Sequence, residues 1–291
     1  MTEKGRTAQL REDLEAFGHP EDTASWADGD VNYVSQLRLT AADIPQLLAV
    51  ARQWLWPLSR PKSKDDVSIF APIHAWRGLA QLRAVEAVEV LLEMMEPLTA
   101  DEDDWHVDEF PSVFAWIGPA AVGPLAEYLR DRRRRSECRT CAAEGLARIA
   151  ACHPETRGEV VALLRDALAA CEEEPYDLNT MLVTYLIDLK AVEAAEVIER
   201  AHAANRVDID LNGPWDEVRR RLGVEGLGLV PKDLQPYSSM PPEFRKLREL
   251  MAQVPEEQRE EVAEDLLRRL LDKSEAADDD FPWADEEYLG E

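Results

Sequence analysis

A chain of 291 residues with 45% apolar content has enough hydrophobic surface to bury a core, and its length allows one elongated domain or two compact ones. The formal net charge of −26 repels phosphate backbones and anionic lipid surfaces, which sets direct binding to nucleic acid or a membrane surface aside as the expected activity. No run approaches the roughly 18 uninterrupted apolar residues of a membrane helix, MTEKGRTAQLRED holds no apolar signal core, and four Cys are too few for a disulfide framework, so a cytoplasmic, reduced setting is expected.

From the N-terminus, Leu10, Leu14 and Phe17 recur at helical spacing over 6–17, and Gly18 suits a helix C-terminal cap. A polar loop is expected next. Thr40-Ala-Ala-Asp43 then resembles a capping box, with Asp in place of Glu. It opens a helix whose apolar face is Ile44, Leu47, Leu48, Ala51 and Leu55, ended by Pro57. Residues 61–66 (PKSKDD) form a polar connector.

Four helix pairs follow, each with a first helix A and a second helix B. The spacing predicts Ile69–Leu82 with Val85–Met95, Phe110–Ile117 with Ala120–Leu129, Arg139–Ala150 with Glu155–Leu168, and Asn179–Leu189 with Ala191–Ala203. Gly118-Pro119 makes a tight corner, because a proline at a helix start loses no hydrogen bond. The chain also repeats itself. AVEAVEVLLE begins at Ala84 and AVEAAEVIER at Ala191, 107 positions apart, about three units of a helical-pair repeat with a period of roughly 33–47. A single such pair cannot bury its apolar face alone, so stacking into an all-α solenoid of antiparallel helix pairs is the expected fold.

The runs GLAQLRAVEAVEVLLEMM, VFAWIGPAAVGPLAEYLRD and EGLARIAACHPETRGEVVALLRDAL resemble HEAT repeats of the short, phycobilin-lyase-like kind. Residues 71–93, 116–129 and 186–209 are more similar still to an uncharacterised bacterial HEAT-like family, a likeness covering about residues 31–223. It implies an α-solenoid and supplies no transferable activity. Some similar proteins end in a Cys-rich zinc-binding tail, whereas this chain has no Cys after Cys171.

Past Gly223 the composition shifts, with Gly226, Gly228 and the stretch 231–242 reading as a linker. Phe244–Val254 and Glu257–Lys273 are then expected to form an amphipathic helical hairpin that either caps the solenoid or serves as a separate docking element. Ser274–Glu291 carries eight carboxylates, no Lys or Arg, and the spaced aromatics Phe281, Trp283 and Tyr288. The expected organisation is a helical flank over 1–39, a HEAT-like solenoid over 40–223, a linker over 224–241, a hairpin over 242–273 and an acidic tail over 274–291.

Chemistry-bearing constellations are few. Cys138-x-x-Cys141 with Cys152-His153 is the nearest to a zinc site, but the two halves lie roughly 15 Å apart along a helix at 1.5 Å per residue, and buried structural Cys is the plainer reading. Asp208-Ile-Asp210-Leu-Asn212-Gly213 imitates a calcium loop, yet Arg219 stands where a bidentate Glu belongs, so a polar turn is expected. No metal and no cofactor is assigned. The acidic stretch Asp101–Glu109 surrounds His106 and Trp105, and is read either as a solvated loop or as a mouth for a cationic ligand in which Trp105 meets Lys or Arg through its ring face. His74 and Trp76 lie on helix A of the first pair, where they line a concave surface or belong to the core.

Gly-x-Ser-x-Gly, His-Glu-x-x-His and Walker signatures are absent, which lowers the enzyme reading without eliminating it. The leading expectation is a non-enzymatic scaffold for a protein or peptide partner, a basic one by charge complementarity. His74, Trp76, Trp105, His106, Trp283 and Tyr288 are the partner-binding candidates, and the tail is read either as disordered solvation alone or as a docking segment for Arg130–Arg135, in its own or a neighbouring subunit, or for a basic partner. The alternatives are a phycobilin-lyase-like small-molecule solenoid using His74, Cys138 and nearby carboxylates, and a metal-dependent hydrolase. The oligomeric state is left open.

Overall fold

Apolar side chains spaced three and four residues apart are expressed as helix along the chain, and no strand occurs among the described residues. The computed structural model describes residues 3–55, 67–100 and 105–224. All of them fall in the first of the two units into which the chain divides, Met1–Leu234 and Gln235–Glu291. The polar connector over 61–66, the expected linker from 225 onward, the hairpin and the acidic tail lie outside the described residues.

Helix α1 (Glu3–Glu15) buries Leu10 and Leu14, and Gly18 follows it with φ +76°. The stretch expected to be a polar loop is instead a folded segment. It comprises a 3-10 run, Pro20–Asp28, interrupted at Thr23, and α2 (Tyr33–Gln36), whose start is capped by Asn32 Oδ1 accepting from Ser35 N at 2.8 Å. Trp26 and Tyr33 from this segment are fully inside. Two rings separated by polar residues leave no helical period to read, and only the surfaces that receive them reveal their burial. The capping box does form: Asp43 Oδ2 accepts from Thr40 N at 2.9 Å, opening a 3-10 turn and then α3 (Ile44–Ala51).

The eight expected helices are present as α4 (Ala71–Gln81), α5 (Ala87–Ala100), α6 (Trp105–Ile117), α7 (Val122–Arg130), α8 (Ser136–Cys152), α9 (Arg157–Leu168), α10 (Tyr176–Asp188) and α11 (Ala195–Ala203). Short helices α12 (Ile209–Asn212) and α13 (Trp215–Leu222) follow. Helix α4 packs on α6, α6 on α8 and α8 on α10, while α5 meets α7, α7 meets α9 and α9 meets α11. At the N-terminal end α1 and α3 pack on α4. Among the described residues the buried apolar side chains from Leu10 to Val224 form one cluster.

The repeated decapeptides occupy equivalent places. Each follows a left-handed residue, Arg83 at φ 53° and Lys190 at φ 52°, that ends an A helix with an amide-to-carbonyl bond spanning five residues, Ala84 to Leu79 and Ala191 to Leu186. The next residues, Val85 and Val192, stand 51% and 45% exposed at the A-to-B corner. The middle corners are stitched to their neighbours. His153 Nε2 lies 3.2 Å from Ala115 O, and its ring fills the space where a side chain at Gly118 (φ +92°) would sit. Arg157 donates to Leu189 O and Lys190 O, placing a cation on the carbonyl end of α10.

Helix α6 starts at Trp105, five residues before the expected Phe110, with Pro111 inside it. The proline removes one backbone hydrogen bond. The longer helix is held by tertiary contacts, since it carries His106 and Glu109 into the interior. Residues 105–109 of the expected acidic loop are therefore helical, while 101–104 lie outside the described residues. Helix α8 approaches α6 and α7 at Gly145, where a Cβ would come within 3.1 Å of Phe114 and 3.3 Å of Leu125.

Candidate functional site

A group of buried polar side chains lies where α4 and α6 meet the segment 18–33. His74, Arg77 and Gln81 recur at i, i+3 and i+7, so they share one face of a helix that is otherwise apolar. Arg77 is buried and forms a two-pronged ion pair with Glu109 of α6, one arm being Nε to Oε2 at 2.9 Å and the other Nη2 to Oε1. Its remaining nitrogen donates to Pro20 O and Thr23 O at 3.2 Å each and to Thr23 Oγ1 at 2.7 Å, and the guanidinium carbon lies 5.6 Å from the Trp26 ring centre. His74 Nδ1 is 2.8 Å from Tyr33 Oη, and its Nε2 is 3.0 Å from Gly18 O. Burial lowers the His74 pKa to about 4, the Gly18 carbonyl pulls the other way, and the Arg77 charge adds to the lowering, so the imidazole is neutral at physiological pH.

Of the partner-binding candidates, His74, Trp76 and His106 are interior. Trp76 packs edge-on to Phe110 at 4.9 Å, and His106 Nε2 is 2.9 Å from Thr99 Oγ1. The physical reason is coverage: residues 3–55 pack over α4, which therefore presents no free face. Trp105 is half-buried, with its ring 5.9 Å from both Phe70 and His19. Trp283 and Tyr288 lie outside the described residues.

A second polar group gathers around the thiols. Thr99 Oγ1 bridges His106 and Cys138, at 2.9 and 3.2 Å, and Cys141 Sγ lies 3.9 Å from His106 O. Burial pushes both thiols above their ordinary range, so they are protonated and poor nucleophiles. Among the described residues no three His, Cys, Asp or Glu side chains stand together as metal ligands. The calcium-like segment folds as α12: Asp208 caps it, and Asn212 points inward to Thr184 and Thr180.

The basic run is consumed locally. Arg132 pairs with Glu173 and Glu174, Arg133 and Arg134 with Asp131, Arg135 with Glu96, and the buried Arg139 with Glu174. The opposite situation holds at the start of α10. Tyr176 and Leu211 are 44% and 58% exposed, and the Asp208 amide is tied to Thr180 of α10 at 2.9 Å. Burial first, and then the charges of Asp208 and Asp210, raise the Tyr176 pKa. Asp177 and Glu137 adjoin through Ser136, whose hydroxyl contacts both. None of these four acids forms an ion pair among the described residues.

No family model, curated protein or solved structure matches this chain. Arg77, Glu109, Gln81, Trp116 and Tyr176 were not singled out from the sequence. The polar stripe 74, 77, 81 on an apolar helix was the available signal for the first group. No comparable signal existed for Tyr176, whose exposure depends on how α10 and α12 pack. No helix among the described residues is long and apolar enough to cross a membrane.

Proposed function

We propose that this chain is a non-catalytic helical-repeat scaffold of the HEAT-like kind, and that it holds a basic protein or peptide partner on the face formed by the start of α10 and by α12. The observation that carries the reading is that Tyr176, at the start of α10, and Leu211, on α12 which packs against α10, are both exposed, with Asp177, Asp208 and Asp210 on the same two elements. An aromatic and an aliphatic side chain supply contact area, and unpaired carboxylates around them favour Lys or Arg on the partner while steering its approach. The row-wise packing of A helices and of B helices, together with the equivalent corners at Arg83 and Lys190, supports the repeat reading. His74 and Cys138, on which a bilin-binding or hydrolytic reading would draw, are buried and committed to internal contacts.

Affinity capture from the source cells with the full chain, compared with a Tyr176→Ala, Leu211→Ser double variant, tests this. Recovery of basic proteins by the parent chain, lost with the double variant and in high salt, supports the reading. The same recovery by both chains, with unchanged helical circular dichroism, overturns it.

A further inference from the structure

In the contacts between α4–α6 and residues 18–33, side chains of the helices grip the main chain of the segment at several points. His74 meets Gly18 O at 3.0 Å, Arg77 reaches Pro20 O and Thr23 O, Trp116 Nε1 donates to Ala27 O at 3.1 Å, and Gln81 both donates to Val31 O at 2.6 Å and accepts from Tyr33 N at 2.7 Å. Four positions on two helices thus satisfy the backbone of a sixteen-residue stretch. Such recognition depends little on the identity of the side chains it passes over. The stretch needs these partners, because its own backbone is short 3-10 turns broken at Thr23 (φ −125°, ψ 26°) and leaves carbonyls that a regular helix would have used.

Ring packing accompanies these bonds, and within it Trp26 is the one indole the segment supplies. Trp26 lies against Trp116 with centres 6.4 Å apart and planes 28° from parallel, and beneath the Arg77 guanidinium. Phe17 and Tyr33, 4.5 Å apart, close over His74. Helix α4 packs directly on α6, Trp76 on Phe110, and Glu109 holds Arg77 from the far side so that its free N–H groups point at incoming carbonyls.

We infer that the α4–α6 surface is a peptide-binding groove that reads main-chain carbonyls and one indole, and that Gly18–Tyr33 is its built-in occupant, exchangeable with the same segment supplied in trans. This groove is separate from the α10–α12 face and does not rest on the function proposed for it. The segment then acts as an internal competitor, and affinity for an outside peptide is reduced by the fraction of time the groove is closed.

The test uses the full chain and a fluorescent peptide spanning residues 17–36. Trp26→Ala in the chain loosens the internal occupant and leaves every groove residue in place. The peptide should bind this variant about tenfold or more tightly than it binds the parent chain. Adding Trp116→Phe, which keeps a ring but removes the donor to Ala27 O, should weaken that binding several-fold. Equal affinity for parent and Trp26→Ala chains, or no binding to a Trp26→Ala chain of unchanged helicity, overturns the inference. Hydrogen exchange of the parent chain gives an independent outcome should that variant not fold. The amides of Asp22, Gly29 and Tyr33 should exchange at least about a hundredfold faster than core amides of α8. Equal protection would mean that the segment opens only when the whole fold does, and would overturn the inference as well.

Discussion

The buried pair Arg77 and Glu109 offers the sharpest test of how this fold is held. Both are nearly inaccessible, and Arg77 bonds simultaneously to Glu109, two backbone carbonyls and Thr23. Arg77→Met strands a carboxylate and two carbonyls in the interior, a loss of about 3–5 kcal/mol. Glu109→Leu strands the guanidinium, with a similar cost of about 3–5 kcal/mol, large against a typical total stability of about 5–15 kcal/mol. The double variant removes both charges and leaves neither unpaired, so its loss should fall well short of the sum, with a coupling of about 2–3 kcal/mol. Urea unfolding followed by helical circular dichroism measures all four corners of the cycle, with equal slopes required for the comparison. Losses that add to within about 0.5 kcal/mol would show that the two residues act independently and would refute this account.

Acid should weaken the fold through His74. Its pKa is about 4 in the folded chain against an ordinary histidine value of 6.5 in the unfolded one, so unfolding takes up a proton across that interval. The contribution is nil above about pH 7, and up to roughly 3 kcal/mol of stability is lost as pH falls from about 6.5 to about 4. His202, lowered mainly by burial, acts in the same direction. His74→Gln should shrink the loss measured between about pH 7 and about pH 4.5, and an identical loss in both proteins would refute the assignment. Thiol labelling should be selective: of the four Cys, exposed Cys152 reacts at the rate of a free thiol, and buried Cys138, Cys141 and Cys171 react only on unfolding. A second thiol reacting equally fast in the folded chain would contradict the burial described above.

Helices announced themselves in the sequence because an apolar stripe at Ile44, Leu47 and Ala51, or at Val88, Leu91 and Met95, is a local pattern with the period of the backbone itself. The capping box at Thr40, the corner at Gly118 and the duplicated decapeptide were legible for the same reason, each being set by residues within a few positions. What the sequence could not decide was which face of α4 would be covered. His74 and Trp76 look like surface candidates until residues 3–55 fold over them, and the segment that does so carries no period, only Trp26 and Tyr33 among polar neighbours. Pairing is non-local in the same way. Arg77 finds Glu109 32 residues away, and His106 finds Cys138 through Thr99. Arg130–Arg135 reads as a free basic patch, yet Arg132 to Arg135 are neutralised by Glu173, Glu174, Asp131 and Glu96. A charge's partner, and hence whether it is free to act, depends on through-space proximity that the spacing of residues along the chain does not encode. The helices were therefore written locally, while the choice between core and surface for the same side chains was made only by tertiary packing.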